Sequence, residues 1–183
     1  VAMDGEGLRP DALEAAAREG RARVLYCLPT LHNPTTATMS AARRDAIAEV
    51  ARRHDLLIIE DDVHGLLADS VGGPIAARAP ERTFYIASTS KVVAGGLRVA
   101  FVACPAQHVE RVAASVAATL WALPALTLEL AAMWIDDGTA DATCARKRAE
   151  AAARQALARE ALPAEAVRTH PRSYFLWLEL PAA

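Results

Sequence analysis

Leu56, Leu57, Ile58 and Ile59 form an uninterrupted aliphatic run that passes straight into Glu60, Asp61 and Asp62. A short apolar run without alternation suits a strand buried on both faces of a parallel sheet. Just upstream, "SAARRDAIAEVARRHD" opens on Ser40, a good N-cap, and places Ile47, Val50 and Ala51 on one helical face. Before that, "RVLYCLP" predicts a further buried strand, closed by Pro29. Strand, helix and strand joined by short connections make a βαβ unit, and a βαβ unit commits the chain to an α/β fold.

The same reading extends in both directions. Asp11 is expected to cap a short helix through "DALEAAAREG", with Gly20 as its stop signal. After a loop carrying Gly72, Gly73, Pro74 and Pro80, "TFYIAS" predicts a third strand and "VAFVACP" a fourth. Beyond Pro105 the pattern turns helical, with Pro124 opening a new helix and Gly138 interrupting. A long Ala/Arg-rich helix then ends before Pro163. "SYFLWLELP" alternates and is aromatic, which predicts a strand of a second, separate sheet.

Composition excludes several classes. Apolar residues make up 53% and charged residues 23%, so disorder is excluded. The net charge of −2 comes from 20 basic and 22 acidic residues mixed along the chain, with no basic stripe for nucleic acid. No apolar run is long enough to span a bilayer. Cys27, Cys104 and Cys144 form no C-x-x-C pair, which fits buried thiols in a reducing cytoplasm better than disulfides or structural zinc.

The basic residues carry a second signal. Of 20, only Lys91 and Lys147 are lysines; the rest are arginine. Arginine cannot lose its proton in a protein, whereas a shielded lysine can act as an amine nucleophile. Lys91 sits in "STSKVVAGGLR", directly after the third predicted strand. In open α/β sheets ligands bind beyond the carboxyl ends of the strands. Here three such ends carry "PTLHNPTT", "EDDVH" and "STSK". If those strands are neighbours, Asn33, Asp61, His64, Ser88, Ser90 and Lys91 surround one pocket. Lys91 suits an aldehyde, Ser88, Ser90 and Arg98 suit a phosphate, and Asp61 suits a protonated ring nitrogen. A cofactor with those three features is pyridoxal 5′-phosphate.

"NPTT", "IIEDDVH" and "STSKVVAGGLR", in this order, resemble the motifs of the fold-type-I class I/II aminotransferases that use pyridoxal phosphate. "APERTFYIASTSK", "GLRVAFVACP" and "WIDDGTADATCARKRAEAAARQALA" are most similar to the aminotransferase-like domain of MocR-type regulators of the GntR superfamily. The resemblance implies a three-layer, mostly parallel sheet. It assigns residues 1–105 to the large domain, 106–162 to its helical remainder and interdomain helix, and 163–183 to the start of a small domain. It further implies that the chain is a fragment, that its parent dimerises, and that DNA is bound only through a module outside these residues.

By the same resemblance Lys91 carries the Schiff base and shuttles the substrate proton. Asp61 pairs with the pyridinium nitrogen, Asn33 bonds the ring oxygen, and Ser88, Ser90 and Arg98 bind the phosphate. Three positions depart from the family pattern: Thr36 replaces a glycine, His64 a tyrosine, and Gly95 a proline of the MocR-type loop. His64 keeps the ability to donate to the ring oxygen, with a pH dependence that tyrosine lacks. The expected function is amino-group transfer between an amino acid and a 2-oxo acid. The alternative is an effector-sensing domain of a transcriptional regulator.

Plainer roles compete at several places. "EDDVH" has the residue types of a metal site but no matching second cluster. Glu60 and Asp62 are expected to be structural or solvated. His32, His54, His108 and His170 look incidental, Trp121, Trp134 and Trp177 are expected in packing, and "CARKRAEAAAR" on a solvated helix face.

Overall fold

The computed structural model describes residues 1–20, 22–68, 72–163 and 166–180. The chain opens with a small antiparallel pair, β1 (Met3–Asp4) and β2 (Gly7–Leu8), followed by α1 (Pro10–Arg18). Proline holds the first helical position of α1 and Arg9 its N-cap, without a side-chain capping bond. Asp11, expected as the cap, instead lies in the first turn and pairs with Arg9. Proline has no N–H to satisfy there, so the helix starts two residues earlier than an Asp11 cap would set it. Gly20, at φ +73°, follows the helix end as expected.

The central sheet holds β3 (Val24–Cys27), β4 (Leu57–Asp61), β5 (Thr83–Ser88) and β6 (Ala100–Ala103), in that spatial order. β3, β4 and β5 run parallel and β6 antiparallel. The reversal follows from chain length. A parallel crossover needs a dozen or more residues, and Ser88 to Ala100 leaves fewer. α2 (Ala41–Arg53) bridges β3 and β4, and the Ser40 hydroxyl accepts from the Arg43 N–H at its start.

α2 buries Ile47, Ala48, Val50 and Ala51 against Leu13 and Ala17 of α1 and Leu25 and Ile58 of the sheet. The expected burial of the first strand holds for one face only. Leu25 and Cys27 point inward, while Val24 and Tyr26 are 48% and 57% exposed. β3 is the edge of the described sheet, and only its inner face has α2 to cover it.

A second core lies at the other end. α3 (Thr89–Val92) follows β5 directly; α4 (Val109–Leu120), α5 (Ala125–Asp136) and α6 (Thr139–Ala161) complete the helices. Leu31, Leu67, Val92, Leu97, Val99, Ala131 and Cys144 form this cluster, with Trp134 packed against it. The predicted last strand is shorter than its alternation suggested. Only β8 (Trp177–Leu178) pairs, with β7 (Val167–Arg168), in a separate two-stranded sheet. Trp121, expected in packing, is 94% exposed with φ +56°.

Candidate active site

Because β3, β4 and β5 are adjacent and parallel, their carboxyl ends lie side by side and the three polar segments emerge together. After β3 the chain doubles back through a tight loop. The Thr36 N–H donates to the His32 carbonyl at 2.7 Å and the Met39 N–H to the Pro29 carbonyl at 2.8 Å. Thr36 adopts φ +62°, so the position where the family carries glycine does require left-handed backbone, here supplied by a β-branched residue. Asn33 is exposed, its bond to Pro34 is cis, and it lines a cavity of about 310 Å³ with Tyr26 and Cys27.

The three acids of β4 and its end meet three environments. Alternation along the strand sends Ile58 and Glu60 to one face and Ile59 and Asp61 to the other. Glu60 is fully buried and accepts from the Ile75 and Ala76 N–H groups at 2.9 and 2.8 Å, with Arg44 at 3.7 Å. Its role is structural, one of the two that were expected. Asp62 accepts from the Tyr85 hydroxyl at 2.9 Å, and a Cβ on Gly65 would push its carboxylate aside. Asp61 lies on the face opposite Glu60, with Ile59. It accepts from the Tyr26 hydroxyl at 2.6 Å and the Val63 N–H at 3.4 Å. That bond to Asp61, with burial adding, pushes the Tyr26 phenol up to about 12. Tyr26 is a site residue that motif reading missed. Its signal was positional: it pairs in register with Ile59, on the face that Asp61 shares.

His64 is buried, and its ring packs edge-on against Phe175 with centroids 5.5 Å apart. Its Nδ1 has no hydrogen-bond partner among the described residues. Burial lowers its pKa, the Lys91 charge lowers it further, and Asp61 opposes both. His64 thus lies within electrostatic reach of the two residues around which the predicted chemistry turns.

Lys91 is exposed in the last turn of α3. Ser88 caps that helix, accepting from the Ser90 N–H at 3.1 Å and donating to the Val99 carbonyl at 3.3 Å. Thr89 donates to the same carbonyl, through its hydroxyl at 3.0 Å and its N–H at 3.1 Å. Arg98 is exposed, between buried Leu97 and Val99, with left-handed backbone at φ +56°. Among the described residues no hydrogen bond or ion pair engages the Ser90 hydroxyl, the Lys91 ammonium or the Arg98 guanidinium. Ser88 is committed to the cap and Ser90 is not.

The helix face of "CARKRAEAAAR" is less solvated than expected. Arg148 donates to the Leu66 carbonyl at 2.9 Å, and the Lys147 ammonium to the Lys91 carbonyl at 3.4 Å. The donor set suits a compound with an aldehyde, a phosphate and a basic ring: an uncommitted amine, hydroxyl and guanidinium, a carboxylate held by a tyrosine, and a buried imidazole nitrogen without a partner.

Comparison with known proteins agrees with this chemistry. The model of the family described as aminotransferase class I and II matches residues 2–183. The uncharacterized HTH-type transcriptional regulator YjiR of Escherichia coli K12 is 32% identical over 183 residues, covering 96% of this chain and 39% of that protein. Aminotransferase swnA of Metarhizium robertsii is 42% identical over 125 residues, covering 60% of this chain and 25% of that one. The α-aminoadipate aminotransferase LysN of Thermus thermophilus, solved with N-(5′-phosphopyridoxyl)-L-leucine, superposes with a TM-score of 0.82 at 30% identity. That match covers 99% of this chain and 49% of that structure. The chain therefore spans between a quarter and a half of these relatives' own length. Its fold is that of the fold-type-I aminotransferases, and the chain belongs to the aminotransferase class I and II family.

Proposed function

We propose that this chain is the lysine-bearing part of a pyridoxal 5′-phosphate site, in a parent protein that transfers amino groups between an amino acid and a 2-oxo acid. Bound pyridoxal phosphate supplies an electron sink for negative charge at the carbon of an attached amino acid. Lys91 Nζ would hold the cofactor and carry the substrate proton. The Asp61 carboxylate, steadied by Tyr26, would keep the proton on the ring nitrogen. Asn33 and His64 would bond the ring oxygen, and Ser90 and Arg98 the phosphate, with Ser88 holding the cap of the helix that carries Ser90. In this reading residues 1–105 are part of the large domain, 106–162 its helical remainder and the interdomain helix, and 163–183 the start of the small domain. The observation that carries it is His64, buried with an unpartnered nitrogen and within reach of both Lys91 and Asp61.

The test exploits the scarcity of lysine. The protein is incubated with pyridoxal phosphate, reduced with borohydride and digested, and the modified peptide is identified by mass. Label on Lys91, absent from Lys91→Ala, is expected. Label on Lys147 alone, or on neither, overturns the reading.

A second reading has its own observation, the similarity to YjiR over 96% of this chain. In it the same site senses pyridoxal phosphate or an amino-acid adduct, and DNA is read by a module outside these residues. Addition of an amino acid and then a 2-oxo acid discriminates the two. Repeated cycling of the cofactor spectrum means transfer; a single change without turnover means sensing. A homodimer is part of both readings. Leu120, Trp121, Leu123 and Leu126 are 57%, 94%, 47% and 81% exposed, a continuous apolar segment suited to a second copy. No helix among the described residues is long and apolar enough to cross a membrane. Three free thiols, two of them buried, support a cytoplasmic location.

A further inference from the structure

α3 spans only Thr89–Val92, so its last carbonyls lack the N–H partners that a longer helix would provide. Thr89 accepts from the Val93 and Ala94 N–H groups. The Lys91 carbonyl has no backbone donor among the described residues and is capped from outside its own element. The Tyr174 hydroxyl donates to it at 2.8 Å, across 83 positions of sequence, and the Lys147 ammonium at 3.4 Å. A cation at a helix C-terminus is electrostatically favoured, and the shorter bond comes from the neutral phenol.

Tyr174 does not reach this carbonyl from a loose strand end. Gln155 of α6 is buried in an otherwise Ala/Arg-rich helix. Its side-chain amide donates to the Ser173 carbonyl at 2.9 Å and the Phe175 carbonyl at 3.0 Å, bracketing Tyr174 on both sides. Its amide oxygen accepts from the Thr169 hydroxyl. A buried glutamine is costly unless its amide is bonded, so these partners account for its place. Ser173 is itself only 1% exposed, and Phe175 meets His64. One short segment after α6 therefore grips the lysine on one side and the histidine on the other.

We propose that Tyr174 is a positioning residue for Lys91: held by Gln155, its hydroxyl fixes the backbone from which the lysine projects into the cofactor site. This rests on the reading that Lys91 holds pyridoxal phosphate. Tyr174 touches neither cofactor nor substrate in this role. It determines how reproducibly the amine meets its target, and small misplacements of a reacting group cost rate steeply. Burial keeps the phenol above its ordinary pKa, so the donor persists through the working pH range.

The experiment uses the full-length parent protein loaded with pyridoxal phosphate. Tyr174→Phe removes the hydroxyl and keeps the ring; Lys147→Met removes the second donor; the double variant removes both. Three readouts are taken: far-UV circular dichroism for folding, the visible dichroism band per bound cofactor, and the rate of cofactor release. Tyr174→Phe is expected to stay folded, lose at least half of the visible band and release cofactor about fivefold faster. Lys147→Met alone should change little, because Tyr174 still holds the carbonyl. The double variant should exceed the sum of the two singles, because the donors share one acceptor. Unchanged band and release rate in the double variant, with borohydride label still on Lys91, overturn this proposal and leave the cofactor reading intact. Absence of label on Lys91 in the unaltered protein overturns both. Should Tyr174→Phe not fold, Gln155→Glu, which keeps an acceptor for Thr169 but loses the amide donors that bracket Tyr174, is read in its place, alone and combined with Lys147→Met. An unchanged visible band and release rate in that folded double variant overturn it as well.

Discussion

Replacement of Glu60 by alanine tests whether a buried acid can be structural in a strand that leads to the proposed cofactor site. Glu60 has no exposed surface and satisfies the N–H groups of Ile75 and Ala76 at 2.9 and 2.8 Å, fastening the turn at Ile75–Ala77 to β4. Its other neighbour is the Arg44 guanidinium at 3.7 Å. Removing the carboxylate strands one buried and one half-buried donor, the buried one at about 1–3 kcal/mol and the other toward the low end of that range. Arg44 is partly protected, since it also donates to the Met39 and Pro29 carbonyls and to the Thr30 hydroxyl. The loss should therefore fall at about 3–4 kcal/mol, the lower part of the range for breaking a buried pair. With a urea slope of about 2 kcal/mol/M the unfolding midpoint drops by roughly 1.5–2 M. Glu60→Gln keeps one acceptor oxygen and should lose about half as much. Urea titration followed by tryptophan fluorescence measures both. An alanine variant within about 1 kcal/mol of the unaltered protein would refute the reasoning, because two unpaired N–H groups, that of Ile75 fully buried, and a weakened Arg44 pair cannot cost so little.

Three other outcomes rest on individual residues. His64 has its folded pKa lowered by burial and by Lys91, so the unfolded chain takes up a proton first as pH falls below about 6.5. Stability should be flat above that pH and decline below it, and His64→Phe should flatten the decline in a pH series of thermal melts. Thr36→Gly relieves left-handed backbone worth about 1–2 kcal/mol, offset by about 0.5–1 for glycine's added chain freedom, so a small rise in Tm is expected, while Thr36→Val should give none. Burial, with Glu60 nearby, pushes the Cys27 thiol well above its ordinary value, and Cys144 is 7% exposed. Alkylation of the folded protein at pH 8 should label Cys104 first and leave Cys27 untouched until unfolding; early label on Cys27 would contradict its burial.

Much of the fold was legible because it rests on short-range patterns. The unbroken run Leu56–Ile59 named a central strand, Ser40 named a helix start, and the sequence spacing of three polar strand ends anticipated neighbours in a parallel sheet. What pattern could not supply was long-range pairing. Tyr26 reaches Asp61 only because β3 and β4 align Tyr26 with Ile59. Tyr174 reaches Lys91 only because α6 turns the chain back across the sheet's carboxyl end, and nothing near Tyr174 in sequence announces it. Asp11 failed as a cap for the opposite reason: a local preference for aspartate lost to an equally local one for proline at the first helical position.

The acids of β4 and the lysine of α3 also show why the motifs are spaced as they are. Residue alternation divides Glu60 from Asp61, so a single strand can anchor a turn in the core and present a carboxylate to the site. Placing both on adjacent positions couples the stability of the sheet to the position of Asp61. The lysine is held by the same logic from the far side, where the carbonyl of Lys91 is capped by α6 and the segment beyond it. An enzyme and a sensor both need this two-sided hold on the amine and the acid. They differ in the response to binding, and His64 is where that difference enters. A tyrosine there stays neutral through physiological pH, whereas an imidazole held neutral by burial can take up a proton when the neighbouring Lys91 charge is removed. Loss of the Lys91 charge would therefore raise the proton affinity of His64, and a higher His64 pKa in Lys91→Met, read from the NMR shifts of its imidazole, is the direct measure of that coupling.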